Sequence, residues 1–258
     1  MISVVDVSAP INFAGFAAVG GKAVMIKCSE GVSFVSPSFA GSKAAALTAG
    51  LAVGTYHFMH AGNADRQALW YLQQLNPAQG ERVVCDAEFY NGSGPSLADI
   101  RLFVQTILAK RPDLRVTIYA NVDFLTQRFG AAKDEYLAKV TDLWIAQWNV
   151  AKPTIPTATW ATWALWQVTG TQRAYGGQID TDAFNGDDKG LVEWVGPAKG
   201  PPINDFSSVI GVQRGLIAAG YELTPDGQWG PQTGAALTSA TRNGKDFRPP
   251  GGLVEEVG

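Results

Sequence analysis

Eight short apolar runs recur between residues 2 and 184, and the stretches between the early ones carry helical signals. The runs are ISVVDVS, KAVMIKCSEG, LAVGTYHFMH, ERVVCDAEFY, LRVTIYAN, TDLWIAQWN, TWALWQVTG and GQIDTDAF. The early ones are rich in Val and Ile and do not alternate cleanly, as expected of parallel strands covered on both faces. PSFAGSKAAALTAG is Ala-rich and stops at Gly50, a C-cap residue. ADRQALWYLQQLN places apolar residues at Ala68, Leu69, Leu72 and Leu75, a helical spacing. SLADIRLFVQTILAKRP has Ser96 three before Asp99 and closes on Lys110 and Arg111 before Pro112. NVDFLTQRF adds a shorter helical turn or two. Past residue 140 the helical signals stop, and Trp-rich strand candidates follow one another closely. The early βαβαβα order would also permit a doubly wound fold. The run of strands at the end fits closure better. The fold class expected is α/β: an irregular eight-stranded β/α barrel with incomplete outer helices.

The chain changes character after residue 194. VGPAKGPPIND, residues 195–205, has the Gly and Pro content of a linker. Beyond it, Val209, Val212, Leu216 and Ile217 give one helical stripe closed by Gly220, TPDGQWG makes a turn, and PQTGAALTSATR opens a second helix on a proline. The division expected is a barrel domain at 1–194, a linker at 195–205, a small all-α domain at 206–246 and a tail at 247–258. A unit as short as the third lies at the lower limit of independent stability.

Composition narrows the function. The chain has 258 residues, 46% hydrophobic and 17% charged, enough to bury a substantial core. Its formal net charge of −3 and the lack of Lys/Arg runs argue against nucleic acid as the partner. No stretch approaches the ~20 apolar residues of a membrane helix, so no integral membrane segment is expected. MISVVDVSAP does not read as a signal peptide. Cys28 and Cys85 sit in strand candidates and read as buried free thiols.

Asp86 and Glu88 end the fourth run, two residues apart. On a strand such side chains share a face, with Cα atoms ~6.6 Å apart. Residues at the C-terminal ends of barrel strands form the site in such folds. Asp6 comes late in the first run, Glu30 follows the second, and Asp180 and Asp182 lie in the last. If first and last strands are neighbours, Asp6 and Asp180 flank the Asp86–Glu88 pair. Crowded carboxylates raise one another's proton affinity, so one can hold a proton near neutral pH. Glycosidic cleavage needs such an acid and a second carboxylate beside it. An acid at a strand end also serves simply as a cap or ion-pair partner. A metal site is the other reading, but the chain has two histidines and no zinc motif, and no cofactor is expected.

The 8 Trp, 7 Tyr and 12 Phe favour a sugar ligand, because aromatic faces suit the apolar faces of pyranose rings. Tyr56, Phe58, Phe89, Tyr90, Tyr119, Trp144, Trp148, Trp163 and Trp166 fall at or near strand ends. Tyr56, Tyr119 and Trp148 are assigned to the cleft, while Trp163 also suits a barrel core. His57 alternates away from Tyr56 and reads as a core histidine. His60, just past the strand, is positioned to meet substrate.

These residues carry a resemblance. DVS at Asp6–Ser8, MIKCSEG, GTYHF, CDAEF, LWIAQW, ALWQVTG and IDTDAFNGD occur in the order seen in family 25 glycoside hydrolases, the Chalaropsis-type lysozymes. The likeness spans about residues 3–188. It implies an N-acetylmuramidase that cleaves the β-1,4 bond between N-acetylmuramic acid and N-acetylglucosamine in bacterial peptidoglycan. Its fold would be an irregular β/α barrel lacking several outer helices. It assigns Glu88 as general acid/base, Asp86 as the residue that assists through the substrate's acetamido group, and Asp6 and Asp180 as flanking acids. Asp182 is the rival for the last position. Tyr56, Tyr119, Trp148, Trp166, Gln167 and Asp182 are the substrate-binding candidates, and retention of configuration is implied. The chain departs from the family where APINF replaces an aromatic and a Gln, and at Cys28, where a small residue is usual.

GVQRGLIAAGYELTPDGQWGPQTGAAL resembles the three-helix peptidoglycan-binding domain of many cell-wall hydrolases, DGQWGPQT at Asp226–Thr233 being its most specific part. SATRNG stands where that pattern has Phe-Gln. Barrel plus wall anchor resembles a bacteriophage endolysin or a related autolysin. The implied protein is a monomer, made in the host cytoplasm and let out to the wall by a separate pore. Two rivals differ in class: a wall-binding protein on an inactive barrel, and a metal-dependent amidase or peptidase. The intact acid set opposes the first and the scarcity of histidine opposes the second.

Overall fold

The computed structural model describes residues 2–196, 212–213, 216–217, 221, 223 and 229–243. The chain divides into two compact units, Met1–Ala198 and Lys199–Gly258.

In the first unit the strands are β1 (Val4–Val7), β2 (Ala23–Glu30), β3 (Phe34–Val35), β4 (Ala52–Phe58), β5 (Arg82–Asp86), β6 (Arg115–Asn121), β7 (Thr141–Ala146), β8 (Leu165–Ala174) and β9 (Gly177–Phe184). They lie in the order β1-β9-β8-β7-β6-β5-β4-β2-β3, and β1 also pairs with β2. Eight strands therefore close into a barrel, with the two-residue β3 attached to β2 outside it. All eight apolar runs become barrel strands. The pairings from β1 through β2 and β4 to β8 are parallel, while β9 runs antiparallel to both β8 and β1. A single reversed strand makes the late connections short, which is why no helix separates β8 from β9.

The helices are α1 (Phe13–Ala18), α2 (Phe39–Thr48), α3 (Ala64–Leu75), α4 (Leu97–Lys110), α5 (Val122–Arg128), α6 (Glu135–Val140) and α7 (Asp188–Val195). The Ser96–Asp99 pair forms the full capping box that starts α4. Three helices differ from the sequence expectation. α1 and α6 are six-residue turns capped by the Asn12 and Asp134 side chains, too short to show periodicity. α7 follows β9, where helical signals were expected to be over. Val195, expected as the first linker residue, ends α7 and is fully buried. In α3 the buried face is Ala64, Gln67, Ala68, Tyr71 and Leu75, and Leu69 is 43% exposed. Polar side chains occupy this face because they are bonded there: Tyr71 to Thr55, and Gln67 to the His60 backbone.

Strand alternation sorts the core into two layers. Outward residues such as Val5, Val24, Val53, Val83 and Ile118 pack under the helices. Inward residues such as Val4, Ala23, Met25, Ala52, Val84 and Leu165 fill the barrel, joined by Leu191 and Val195 of α7. Gly54 has no room for a side chain, because a Cβ there would lie 2.4 Å from the Met25 methyl carbon. α7 thus closes the end of the barrel where the parallel strands begin. Arg82 anchors it, donating to the Trp194 carbonyl at 2.5 Å, to Thr117 Oγ1 at 2.7 Å and to Asp142 Oδ2 at 2.7 Å. The Trp194 indole lies 4.0 Å from its guanidinium and donates to Asp142. Both cysteines are free and buried, as expected, with Cys85 Sγ 3.0 Å from Met59 Sδ.

In the second unit, α8 (Pro231–Arg242) carries the expected proline start. Its Ala236, Leu237 and Ala240 pack with Val212 and Leu216, two members of the expected stripe. Val209, Gly220 and the tail at 247–258 lie outside the described residues, as does the count of three helices. Among the described residues no helix is long and apolar enough to cross a membrane.

Candidate active site

The opposite end of the barrel holds an open cavity of about 190 Å³, lined by Asp6, Lys27, Tyr56, Phe58, Asp86, Glu88, Tyr119, Trp144, Gln167 and Asp180. The strand registers explain this set. Lys27 pairs with Tyr56, Phe58 with Asp86, Asp86 with Tyr119, Tyr119 with Trp144, and Asp6 with Asp180. Each is an inward position near the strand ends, so the barrel gathers them at one level. The four acids from β1, β5 and β9 therefore meet, together with Tyr56, Tyr119 and Gln167.

Burial and like charge act on every carboxyl here. Burial, and then the charge of Asp180, push Asp6 up to about 7, against a lowering hydrogen bond from Gln167. Burial and the Glu88 charge hold Asp86 well above the carboxylate range, with Lys27 opposing. Glu88 is raised by burial, with Lys27 lowering it and Asp180 raising it. Asp180 is raised by burial, partly offset by the Thr171 backbone N–H, which donates to its Oδ1. Glu88 and Asp180 are half-buried while Asp6 and Asp86 are buried, so Glu88 and Asp180 are the two acids nearest the opening. Glu88 stands just beyond the end of β5, and Ala87 between Asp86 and Glu88 is tied by its N–H to the Tyr119 carbonyl at 2.9 Å.

Gln167 organises one wall. Its Nε2 donates to Asp6 at 2.8 Å and to Asp180 at 3.4 Å, and its Oε1 accepts from Tyr119 at 3.1 Å and Trp148 at 3.2 Å. These bonds fix the amide orientation. Trp148 is 51% exposed beside this wall and packs against Gly170, where a Cβ would come within 2.4 Å of the indole. Tyr56 reaches the Val7 carbonyl at 3.4 Å.

Two substrate-binding candidates lie elsewhere. Trp166 faces the outer layer, donating to the Gln147 carbonyl at 2.7 Å, because alternation along β8 turns Leu165 and Gln167 inward and Trp166 outward. Asp182 faces inward but one level below the cavity, beside Val4, where its Oδ1 accepts from Trp144 at 2.8 Å. Burial and the Asp6 charge raise it strongly. Oδ1 of Asp86 and Oδ2 of Asp182 are buried without a hydrogen-bond partner.

His57 is fully buried between Tyr71 and Phe103, bonded to Ser29 at 2.9 Å, and burial pushes it down to about 3, so it is a neutral core residue as expected. Lys27 is a cavity residue that inspection of the sequence passed over. It bonds Glu30 at 2.7 Å and lies 5.0 Å from the Phe58 ring centre. The available signal was its parity: it shares the inward face of β2 with Met25. Among the described residues no three His, Cys, Asp or Glu side chains are grouped to hold a metal ion.

Residues 2–177 match the family model of glycosyl hydrolases family 25. The chain belongs to glycosyl hydrolase family 25. The autolytic lysozyme of Clostridium acetobutylicum is 26% identical over 250 residues, which is 95% of this chain and 71% of that protein. The bacterial lysozyme from Streptomyces coelicolor has the same fold, with a TM-score of 0.65 at 25% identity over 76% of this chain and 97% of that one. The family 25 lysozyme from Aspergillus fumigatus gives 0.64 at 26% identity over 76% and 99%. As a family 25 member the chain is a glycoside hydrolase of the lysozyme class.

Proposed function

We propose that this family 25 hydrolase cleaves the β-1,4 bond between N-acetylmuramic acid and N-acetylglucosamine in bacterial peptidoglycan, with Glu88 as its general acid and base. The observation that carries this is a half-buried carboxyl at the cavity opening whose proton affinity is raised by burial and by Asp180. Such a group holds a proton until the glycosidic oxygen arrives and donates it to the leaving sugar. Asp86, deeper on the same strand, orients the acetamido group of the muramic sugar. The acetamido carbonyl then meets the anomeric carbon, and water enters with Glu88 as base, giving retention. Asp6 and Asp180 surround the developing positive charge, and Gln167 keeps both in place. Tyr56, Tyr119 and Trp148 offer ring faces and hydroxyl or indole edges to the sugars.

Mass analysis of fragments from digested walls tests this reading. New reducing muramic ends are expected. New reducing glucosamine ends or freed peptides would refute it. The wall-binding pattern at Asp226–Thr233 supports an endolysin or autolysin role, in which the second unit holds the enzyme on its polymer. The full-length Glu88→Gln chain should then co-sediment with purified walls without dissolving them.

A further inference from the structure

A locked pair of exposed rings lies beside the cavity, next to β4 and β5. His60 and Tyr90 stack at 6.4 Å with their planes 18° apart. Phe58, a lining residue of the cavity, meets His60 at 5.8 Å and 89° and Tyr90 at 5.8 Å and 86°. Tyr90 is 57% exposed, and the His60 side chain 48%. Exposed rings on loops are ordinarily mobile, but these are fixed from beneath. The His60 N–H donates to Gln67 Oε1 at 2.9 Å and its carbonyl accepts from Gln67 Nε2 at 2.9 Å, and Gln67 is 1% exposed. The His60 ring bonds Glu30 at 2.8 Å, and Glu30 holds Lys27. Tyr90 exchanges two backbone hydrogen bonds with Ser93, at 2.7 and 3.0 Å, around Asn91 and Gly92 at φ 51° and 77°. Those angles are those of a two-residue hairpin turn whose central residues both adopt the left-handed region. The turn begins two residues past Glu88, so the segment carrying the acid also presents the ring.

We propose that the His60–Tyr90 face is a further glycan subsite, continuous with the cavity through Phe58, that takes an N-acetylhexosamine ring beyond the two sugars flanking the cleaved bond. The proposal rests on the muramidase reading. A cavity of about 190 Å³ holds only part of a polymeric strand, so the rest must leave over a wall. This wall offers two near-parallel, half-exposed rings with polar edges, the kind of surface that suits a pyranose ring. Prior fixing of the rings lowers the ordering cost of binding.

The test is steady-state kinetics on soluble glycan strands of four sugars and of eight or more, for the wild type, Tyr90→Ala and His60→Ala. Leu102→Ala, on the exposed side of α4, serves as control. Tyr90→Ala is expected to raise KM for the long strand about tenfold and KM for the tetrasaccharide less than twofold. Equal losses at both lengths, or a long-strand KM within twofold of wild type, overturn the proposal. A loss confined to strands bearing stem peptides assigns the face to peptide and overturns it as well. Calorimetric titration of long strands into Glu88→Gln, with and without Tyr90→Ala, separates this proposal from the function it rests on. About tenfold weaker binding by the double variant supports the subsite whichever bond the wild type cuts, and equal binding overturns it.

Discussion

The two ends of the barrel treat buried charge in opposite ways. At the closed end, Arg82 is 3% exposed yet its guanidinium meets a carbonyl, a hydroxyl, a carboxylate and an indole face. At the open end, like charges crowd together, and a buried oxygen of Asp86 has no partner. A charge taken from water costs several kcal/mol unless paired and hydrogen-bonded. The closed end meets that requirement and the open end leaves it unmet. The same barrel is thus stabilised at one end and kept chemically strained at the other, where raised proton affinity is useful.

The sharpest way to break this comparison is Glu88→Gln. It removes the carboxyl proposed as general acid from a half-buried site, so activity should fall by about 10²–10⁴-fold while the midpoint of thermal unfolding stays within a few degrees of wild type. A variant with near-normal wall clearance would end the assignment. Arg82→Met should do the reverse. Loss of its bonds leaves buried acceptors unpaired and costs about 2–3 kcal/mol in chemical denaturation, with kcat of the folded fraction close to normal. A large fall in kcat without loss of stability would show that the ends are not separable.

Asp6→Asn tests the strain directly. A carboxyl raised to about 7 in the fold, against an unfolded value of about 3.9, is protonated in the native state where the unfolded chain is already ionised. Its contribution to stability is complete below about pH 4 and is lost as pH rises through about 7. Asp6→Asn should therefore gain about 1–2 kcal/mol at pH 8 relative to wild type and little at pH 4, read from denaturation at both. Equal differences at the two pH values would count against burial of a charge at this position. The smallest effect is expected from Lys27→Met. Lys27 lowers both Asp86 and Glu88. Its loss should move the alkaline limb of the pH–rate profile upward, with less than tenfold change in the optimum rate. A limb that moves down, or not at all, would remove Lys27 from the electrostatics of the site.

Much of the barrel was readable because its strands announce themselves in order. Tyr56 and Tyr119, chosen as aromatics near strand ends, and Gln167, chosen through the family resemblance, all line the cavity, and one parity serves a whole strand. The same rule, applied strictly to β8, would have turned Trp166 away from the cavity, because it neighbours Gln167. Aromatic identity had suggested a sugar contact at Trp166, and the structure packs that ring in the outer core layer. α7 was hidden because its pattern is short and follows a strand-rich region, and its purpose is visible only once the barrel needs an end cap. Lys27 was hidden for a different reason: a lone cation in an apolar run has no meaning until the acids it faces are assembled around it. The wall-binding pattern of the second unit stays a matter of sequence; among the described residues Val212, Leu216 and α8 form a packed centre, with Tyr221, Leu223 and Trp229 against it.

The antiparallel seam between β1 and β9 also governs when the enzyme comes into being. Gln167 and Asp6 are 161 residues apart along the chain and meet only after β9 has docked on β1. Contacts of such long range form late, once the entropy of closing the intervening loop has been met by earlier pairing. A growing chain on the ribosome therefore carries no assembled acid cluster until nearly the entire barrel has emerged, and the ability to cut glycan arrives in one step with topological completion.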